Sequence, residues 1–317
     1  MKRALLLLAI LAVPAASHAS GQRGPIALVT AESQNQLLAV DVRSGKVVRR
    51  LRMPAEPENV EAYAGQAAVV SARAGAVTFV DPRTLKIRRI IRGFGSPHIA
   101  AFAPDGDYLY VTDDARGQLA VIRGRVLRKI FVGYGAHHMA FSPNERRLWI
   151  ALGERARSIA VVDTHNPARP KLVGHVDPRG LAHDLAFSPD GRFVWVTYDD
   201  RTYLQTFDAR TGRPVRTQYA GRPPAHIRFD EASRLARFGR YAYVTSGNGA
   251  VLRVFDWRSR RLMLVLRTSP GSFNLSVERG LVATSSLTGG RVIAYDGGRR
   301  LLSERVAPAA RDVALLR

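Results

Sequence analysis

The 317-residue chain contains no cysteine. That absence excludes a disulfide scaffold, a thiolate zinc site, an iron–sulfur cluster, covalent c-type haem attachment, a cysteine nucleophile and lipidation on a thiol. Acidic residues are scarce, 26 Asp+Glu against 48 Lys+Arg, which leaves a formal net charge of +22. Lysine is scarcer still: Lys2, Lys46, Lys86, Lys129 and Lys171 are the whole set, so the basic surplus is arginine. The apolar stretch near the N-terminus is ten residues, short of the about 20 that a transmembrane helix needs, and no later stretch is long and uncharged enough. Windows with helical periodicity are missing, and 27 Gly with 17 Pro punctuate the chain too often for long helices. The serine-nucleophile, P-loop, dinucleotide and HExxH motifs are absent as well.

What is present begins with an export signal. Lys2 and Arg3 precede an apolar stretch over residues 4–13, Pro14 breaks it, and Ser17-His18-Ala19 offers small residues for cleavage before Ser20. The expectation is a signal peptide over 1–19, a single domain over 20–317, and a periplasmic or secreted location.

The domain repeats. Ala101-Phe102-Ala103-Pro104-Asp105-Gly106, Ala140-Phe141-Ser142-Pro143-Asn144-Glu145 and Ala186-Phe187-Ser188-Pro189-Asp190-Gly191 each lead into an aromatic and β-branched run. Weaker copies centre on Tyr63, Phe229 and Val277, and the six anchors lie 39, 39, 46, 42 and 48 residues apart. A period of about 42 residues is that of a four-stranded propeller blade. The chain starts on Ile26-Ala27-Leu28-Val29-Thr30, which reads as a second strand, and ends on Val313-Ala314-Leu315, which reads as a first one. The expectation is therefore all-β: a seven-bladed β-propeller whose C-terminal strand completes the first blade and removes the free edges.

Tyr110-Val111-Thr112-Asp113 and Trp195-Val196-Thr197-Tyr198, each after a Pro-Asp-Gly turn, resemble the YVTN repeat of bacterial propellers, and the chain is similar to the exported YncE-like group. The broader superfamily includes lactonase-like propellers and the haem-domain propeller of nitrite reductase. The resemblance implies a fold with a central channel, whose top mouth is formed by loops entering the inner strands. It carries over no catalytic set, and Asp113 and Tyr198 replace the repeat's Asn.

Histidine concentrates at one repeat position. His98, His137 and His183 sit four residues before an anchor Phe, His138 is adjacent to one of them, and His226 precedes Phe229 by three. Asn59, Asn274 and Asp312 are read as the equivalents in the other blades, with Asp113, Asp114, Asp199 and Asp200 in neighbouring loops. These residues define a ligand-binding mouth, with His98, His137 and His183 as candidate ligands of a divalent metal. The same set supports acid–base catalysis or, as in WD-type propellers, a structural tie between blade layers. Strand alternation expects His137 and His138 on opposite faces. Mutual repulsion expects the clustered imidazoles to resist protonation, with ligand binding changing near pH 6–7.

Other residues read as scaffold. His165 and His175 are expected in solvent. Asp41, Asp81, Asp163, Asp208, Asp256 and Asp296 are expected to accept backbone hydrogen bonds in turns. Trp149, Trp195 and Trp257 are expected in packing. The leading functional expectation is a monomeric envelope protein that binds a protein or small-molecule ligand in its funnel. A lactonase-like hydrolase or lyase at the same mouth, and polyanion (DNA or envelope polymer) binding by the arginine-rich surface, are the alternatives.

Overall fold

A computed structural model describes residues 24–230 and 240–316; the expected signal peptide lies outside them. Seven four-stranded antiparallel sheets follow one another around a ring. Blade one joins the two ends of the chain: Ile26–Ala31, Gln36–Asp41 and Val47–Arg52 are completed by Val313–Leu315 as inner strand. Leu315 pairs with Ala27 and Val313 with Val29, as the complementary ends require. Blades two to seven begin on the inner strands Pro57–Tyr63, Pro97–Phe102, Met139–Phe141, Ala182–Phe187, Ile227–Phe229 and Ser272–Glu278.

The apolar side chains gather into seven clusters, each spanning two neighbouring blades. A strand exposes side chains on both faces, so a blade sandwiched between two others must be apolar on both. Trp195 is fully buried in one such interface, edge-on to Phe229 at 5.6 Å, and Trp149 packs edge-on to Phe187 at 5.9 Å. Trp257 is buried as well, 6.5 Å from Phe229.

The recurring aspartates close the turns before the outer strands. Asp41 accepts from the backbone of Gly24, Arg43 and Ser44, and Asp208 from Arg210 and Thr211. Asp81, Asp163 and Asp256 do the same in their blades.

The threonine of the repeat has a specific task. Thr112 and Thr197 are the penultimate residues of second strands; each hydroxyl accepts an N–H from its own inner strand, at Ile99 and Asp184. Each then donates to a carbonyl of the next blade, at His137 and Ala225. Thr30 and Thr245 repeat the bridge between Asp312 and Glu58 and between His226 and Phe273. This hydroxyl ties the ring together at the top of the channel and fixes the backbone that carries the histidines.

Candidate metal centre

Two layers of side chains line the mouth. Pro57, Pro97, Ala182 and Ser272 pair at matching positions just before the first layer. That layer runs Glu58, His98, His137, His183, Ala225, Phe273, Arg311. The second, set by the threonine bridges, runs Asn59, Ile99, His138, Asp184, His226, Asn274, Asp312. The sequence reading is thus displaced by one residue in three blades. The counterparts of His98, His137 and His183 are Glu58, Phe273 and Arg311. Asn59, Asn274 and Asp312 belong one layer deeper, with His138 and His226. The cause lies in the anchors: Asn274 is three residues, not four, before Val277, and Tyr63 lies one position past the place that Phe102 holds in its blade.

All five histidines come together. Ring centroids of His98 and His137 lie 3.6 Å apart, of His138 and His226 4.3 Å, and of His183 and His226 5.1 Å. They line one side of a cavity of about 200 Å³, faced by Phe273, Leu287 and Arg311. His137 and His138 both join the cluster, 4.8 Å apart, rather than facing opposite ways. They precede the strand that begins at Met139, so strand alternation does not govern them. His165 and His175 are exposed and remote from the cluster.

Behind the imidazoles stand carboxylates. Nδ1 of His183 donates to Asp199 at 2.9 Å and Nδ1 of His98 to Glu58 at 3.0 Å. Nδ1 of His226 faces Asp184 at 3.4 Å, that of His138 faces the same carboxylate at 3.7 Å, and that of His137 faces Asp114 at 3.9 Å. A proton held on Nδ1 leaves the lone pair on Nε2. The Nε2 atoms of His183 and His226 then face one another at 3.4 Å. Two lone pairs at that distance repel unless a cation or a proton sits between them. A tetrahedral ion with metal–nitrogen bonds of about 2.0–2.1 Å spaces its ligand nitrogens by about 3.3 Å. Carboxylate–histidine pairs of this kind orient imidazoles for metal binding.

Ligand atoms within 4.8 Å of one another define two sets, His98/His137/His138 and His138/His183/His226. The triad expected from sequence is divided between them. In the second set the Nε2 atoms of His183 and His226 approach to 3.4 Å, one ligand atom of His138 lies within 4.8 Å of both, and no two rings are stacked face to face: the His226 ring stands at 87° to His138 and 86° to His183. In the first set His98 and His137 are stacked 13° from parallel. Rings stacked face to face at this distance would hold a shared ion well out of both ring planes, away from the in-plane lone pairs, at bonds of about 2.0–2.1 Å. The inner set is the preformed one.

The electrostatics follow from burial. His226 is pushed down to about 4 and His98 to about 3, both first by desolvation, and the Asp184 carboxylate only partly offsets this for His226. His137 and His138 are lowered for the same first reason, with neighbouring imidazoles adding to it. Burial, more than the mutual repulsion expected, keeps these four neutral, and it moves their titration below pH 6–7. Asp184 is fully buried, which would raise its pKa, yet Arg228 at 2.8 Å and His226 hold it well below the usual carboxylate range. Asp199, raised by burial, is brought below its ordinary value by the His183 hydrogen bond.

Glu58, Asp184 and Arg311 carry no signal in the histidine repeat and were not legible in it. Of the residues read as binding, Asn59 and Asp312 line the cavity with their polar atoms already engaged. Asp312 accepts from Asn59 Nδ2 and the N–H groups of Val60 and Val313, and Asn59 Oδ1 accepts from Ala100. Asn274 donates to the Arg311 carbonyl. Asp113 caps Gly95 and Ser96, and Asp200 accepts from Leu181.

Fold and site together define a seven-bladed propeller with a carboxylate-backed histidine cup at one channel mouth. The sequence matches no protein-family model and no curated protein. Solved structures are similar in fold. A functionally unknown protein from Desulfotomaculum acetoxidans superposes with a TM-score of 0.79 at 14% identity, covering 93% of this chain and 99% of the other. Apo AztD from Citrobacter koseri gives 0.70 at 12% identity, covering 92% and 97%. Dihydro-heme d1 dehydrogenase NirN in complex with DHE gives 0.63 at 14%, covering 91% and 74%. At these identities the likeness shows the seven-bladed fold alone.

Proposed function

We propose that this chain is an exported, YncE-like binding protein of the cell envelope whose channel mouth takes up a divalent transition-metal ion on His138, His183 and His226. The observation that carries the reading is the pair of Nε2 atoms 3.4 Å apart, with each ring's Nδ1 turned to a carboxylate. Imidazole-only ligation suits Zn²⁺, Ni²⁺, Co²⁺ or Cu²⁺ and disfavours Mg²⁺ and Ca²⁺. Carboxylates behind the cup favour a cation locally although the whole chain carries +22. The export signal over 1–19 and the Tyr-Val-Thr repeats support the envelope location and the YncE-like grouping. The protein works as a monomer in this reading, because the cup is complete within one chain.

Metal content after purification without chelator, followed by calorimetric titration with Zn²⁺, tests it. One tightly held ion per chain, lost in His183→Ala/His226→Ala, is the expected result. Metal-free protein with no affinity for Zn²⁺, Ni²⁺, Co²⁺ or Cu²⁺ would sink it.

A second reading is metal-assisted hydrolysis, of the lactonase-like kind. Its support is that three imidazoles leave a coordination position open, and catalytic zinc sites keep such a position. Turnover of lactone or ester substrates by the metal-loaded protein, lost with the same double variant, separates this from binding alone. Polyanion contact by the arginine-rich exterior is independent of the cup, and salt-titrated DNA binding reads it out.

A further inference from the structure

The outer strand of blade six differs from the other six. Arg261–Arg267 reads Arg-Leu-Met-Leu-Val-Leu-Arg, five apolar residues in a row, a run no other outer strand has. Four of them are about half exposed: Leu262 49%, Met263 48%, Leu264 46% and Val265 52%. The outer strands of blades one, two and three break their apolar residues with Arg49 and Arg50, Arg88 and Arg89, and Arg128 and Lys129. Charge on an edge strand blocks edge-to-edge pairing; blade six lacks that device. Its strand pairs with Val251–Asp256 on one side and, among the described residues, with nothing on the other. It is an outer strand, 35 or more residues of sequence from any cup histidine, so it stands apart from the metal reading.

We propose that this strand is a docking edge for a partner protein that adds an extended segment, apolar in the middle and acidic at its ends. An unpaired edge offers backbone N–H and C=O groups, and an added strand satisfies them while covering Met263 and Val265. Charge selects the partner. Arg261 and Arg267 bracket the apolar run. A second copy pairing antiparallel in register would set Arg261 against Arg267 at both ends, and like charges directly opposite destabilise a ladder. Acidic ends give the opposite sign. A lipid surface matches the charge and the apolar side chains but supplies no ladder of backbone partners.

The probe is a synthetic peptide, Asp-Asp-Val-Thr-Val-Thr-Val-Asp-Asp, fluorescently labelled, against the full mature chain, with a Lys-ended analogue as control. The acidic peptide should bind about 10-fold or more tighter than its analogue at low salt and weaken as salt rises. Binding should vanish in Met263→Lys/Val265→Lys. Both side chains are half exposed, so this variant should melt with the parent, and Val265→Thr should retain binding. Equal binding of the two peptides, no binding of either, or binding untouched by the double lysine variant would overturn the proposal. So would flotation with phosphatidylglycerol vesicles in the absence of peptide binding, which would make the edge a lipid contact. A concentration-dependent dimer in sedimentation that the double variant abolishes would make it a self-association surface.

Discussion

The mouth of the channel divides into two sectors built on one backbone. In blades three to six the two layers of the mouth carry His98, His137, His138, His183 and His226; in blades seven, one and two they carry Phe273 with Asn274, Arg311 with Asp312, and Glu58 with Asn59. The threonine bridge is present in both sectors, at Thr112 and Thr197 in the first and at Thr30 in the second. The difference lies in hydrogen-bond accounting. Asp312 and Asn59 spend their polar atoms on the neighbouring blade, whereas His183 and His226 keep ring nitrogens aimed at each other. In the deeper layer, Asn59 and Asp312 are ties in one arc of the ring, while His226 in the other keeps a ring nitrogen turned to His183. Repetition alone does not tell the two apart.

The largest contrast should come from removing the free donors. His183→Ala/His226→Ala should weaken Zn²⁺ binding by about 1,000-fold, since two of three ligands are lost, as read by competition with a chromophoric chelator. Asn59→Ala should leave that affinity within about threefold, and an equal loss from both variants would erase the distinction between the sectors.

Acid should distinguish them next. His98 and His226 have folded-state values of about 3 and 4, below the ordinary 6.5. Between pH 6.5 and 4 the unfolded chain binds protons that the folded cup refuses, so stability falls as pH drops through that window and is unaffected above it. Each such histidine contributes up to about 1.4 kcal/mol per pH unit. Urea melts of the metal-free protein should lose several kcal/mol from pH 7 to 4.5, and His98→Ala/His226→Ala should flatten the slope. A melt indifferent to acid would contradict the burial of neutral imidazoles.

The ties should show themselves in stability. Asp312→Ala leaves Asn59 Nδ2 and the N–H groups of Val60 and Val313 without their acceptor. The cost should be about 2–3 kcal/mol, measured by denaturant unfolding, with Zn²⁺ affinity retained. Smaller still, Asp199→Asn removes the carboxylate behind His183 and should cost about 10-fold in metal affinity. Thr112→Val breaks one interblade bridge, and a loss of about 1 kcal/mol is expected.

Much of this was legible in the chain. The period near 42 residues, the Pro-Asp-Gly turns and the complementary ends fix seven blades and their closure, because β-structure has a local repeat and an unpaired terminal strand has one place to go. The histidines stand out because five of the chain's eight fall at one point of that repeat. Which of them converge was not legible. Asn274 lies three residues before its anchor and Tyr63 sits one position late, which displaces the count by one residue, and face-to-face stacking of His98 on His137 disfavours a common ion for that pair. Glu58 and Asp184 meet their imidazoles across blade boundaries, 40 or more residues away in sequence, and packing of one blade on the next brings them together. Sequence alone thus determined the architecture and the address of the site, through local periodicity. Tertiary structure decided which polar atoms are spent and which are free, because that depends on what the neighbouring blade presents a few ångströms away.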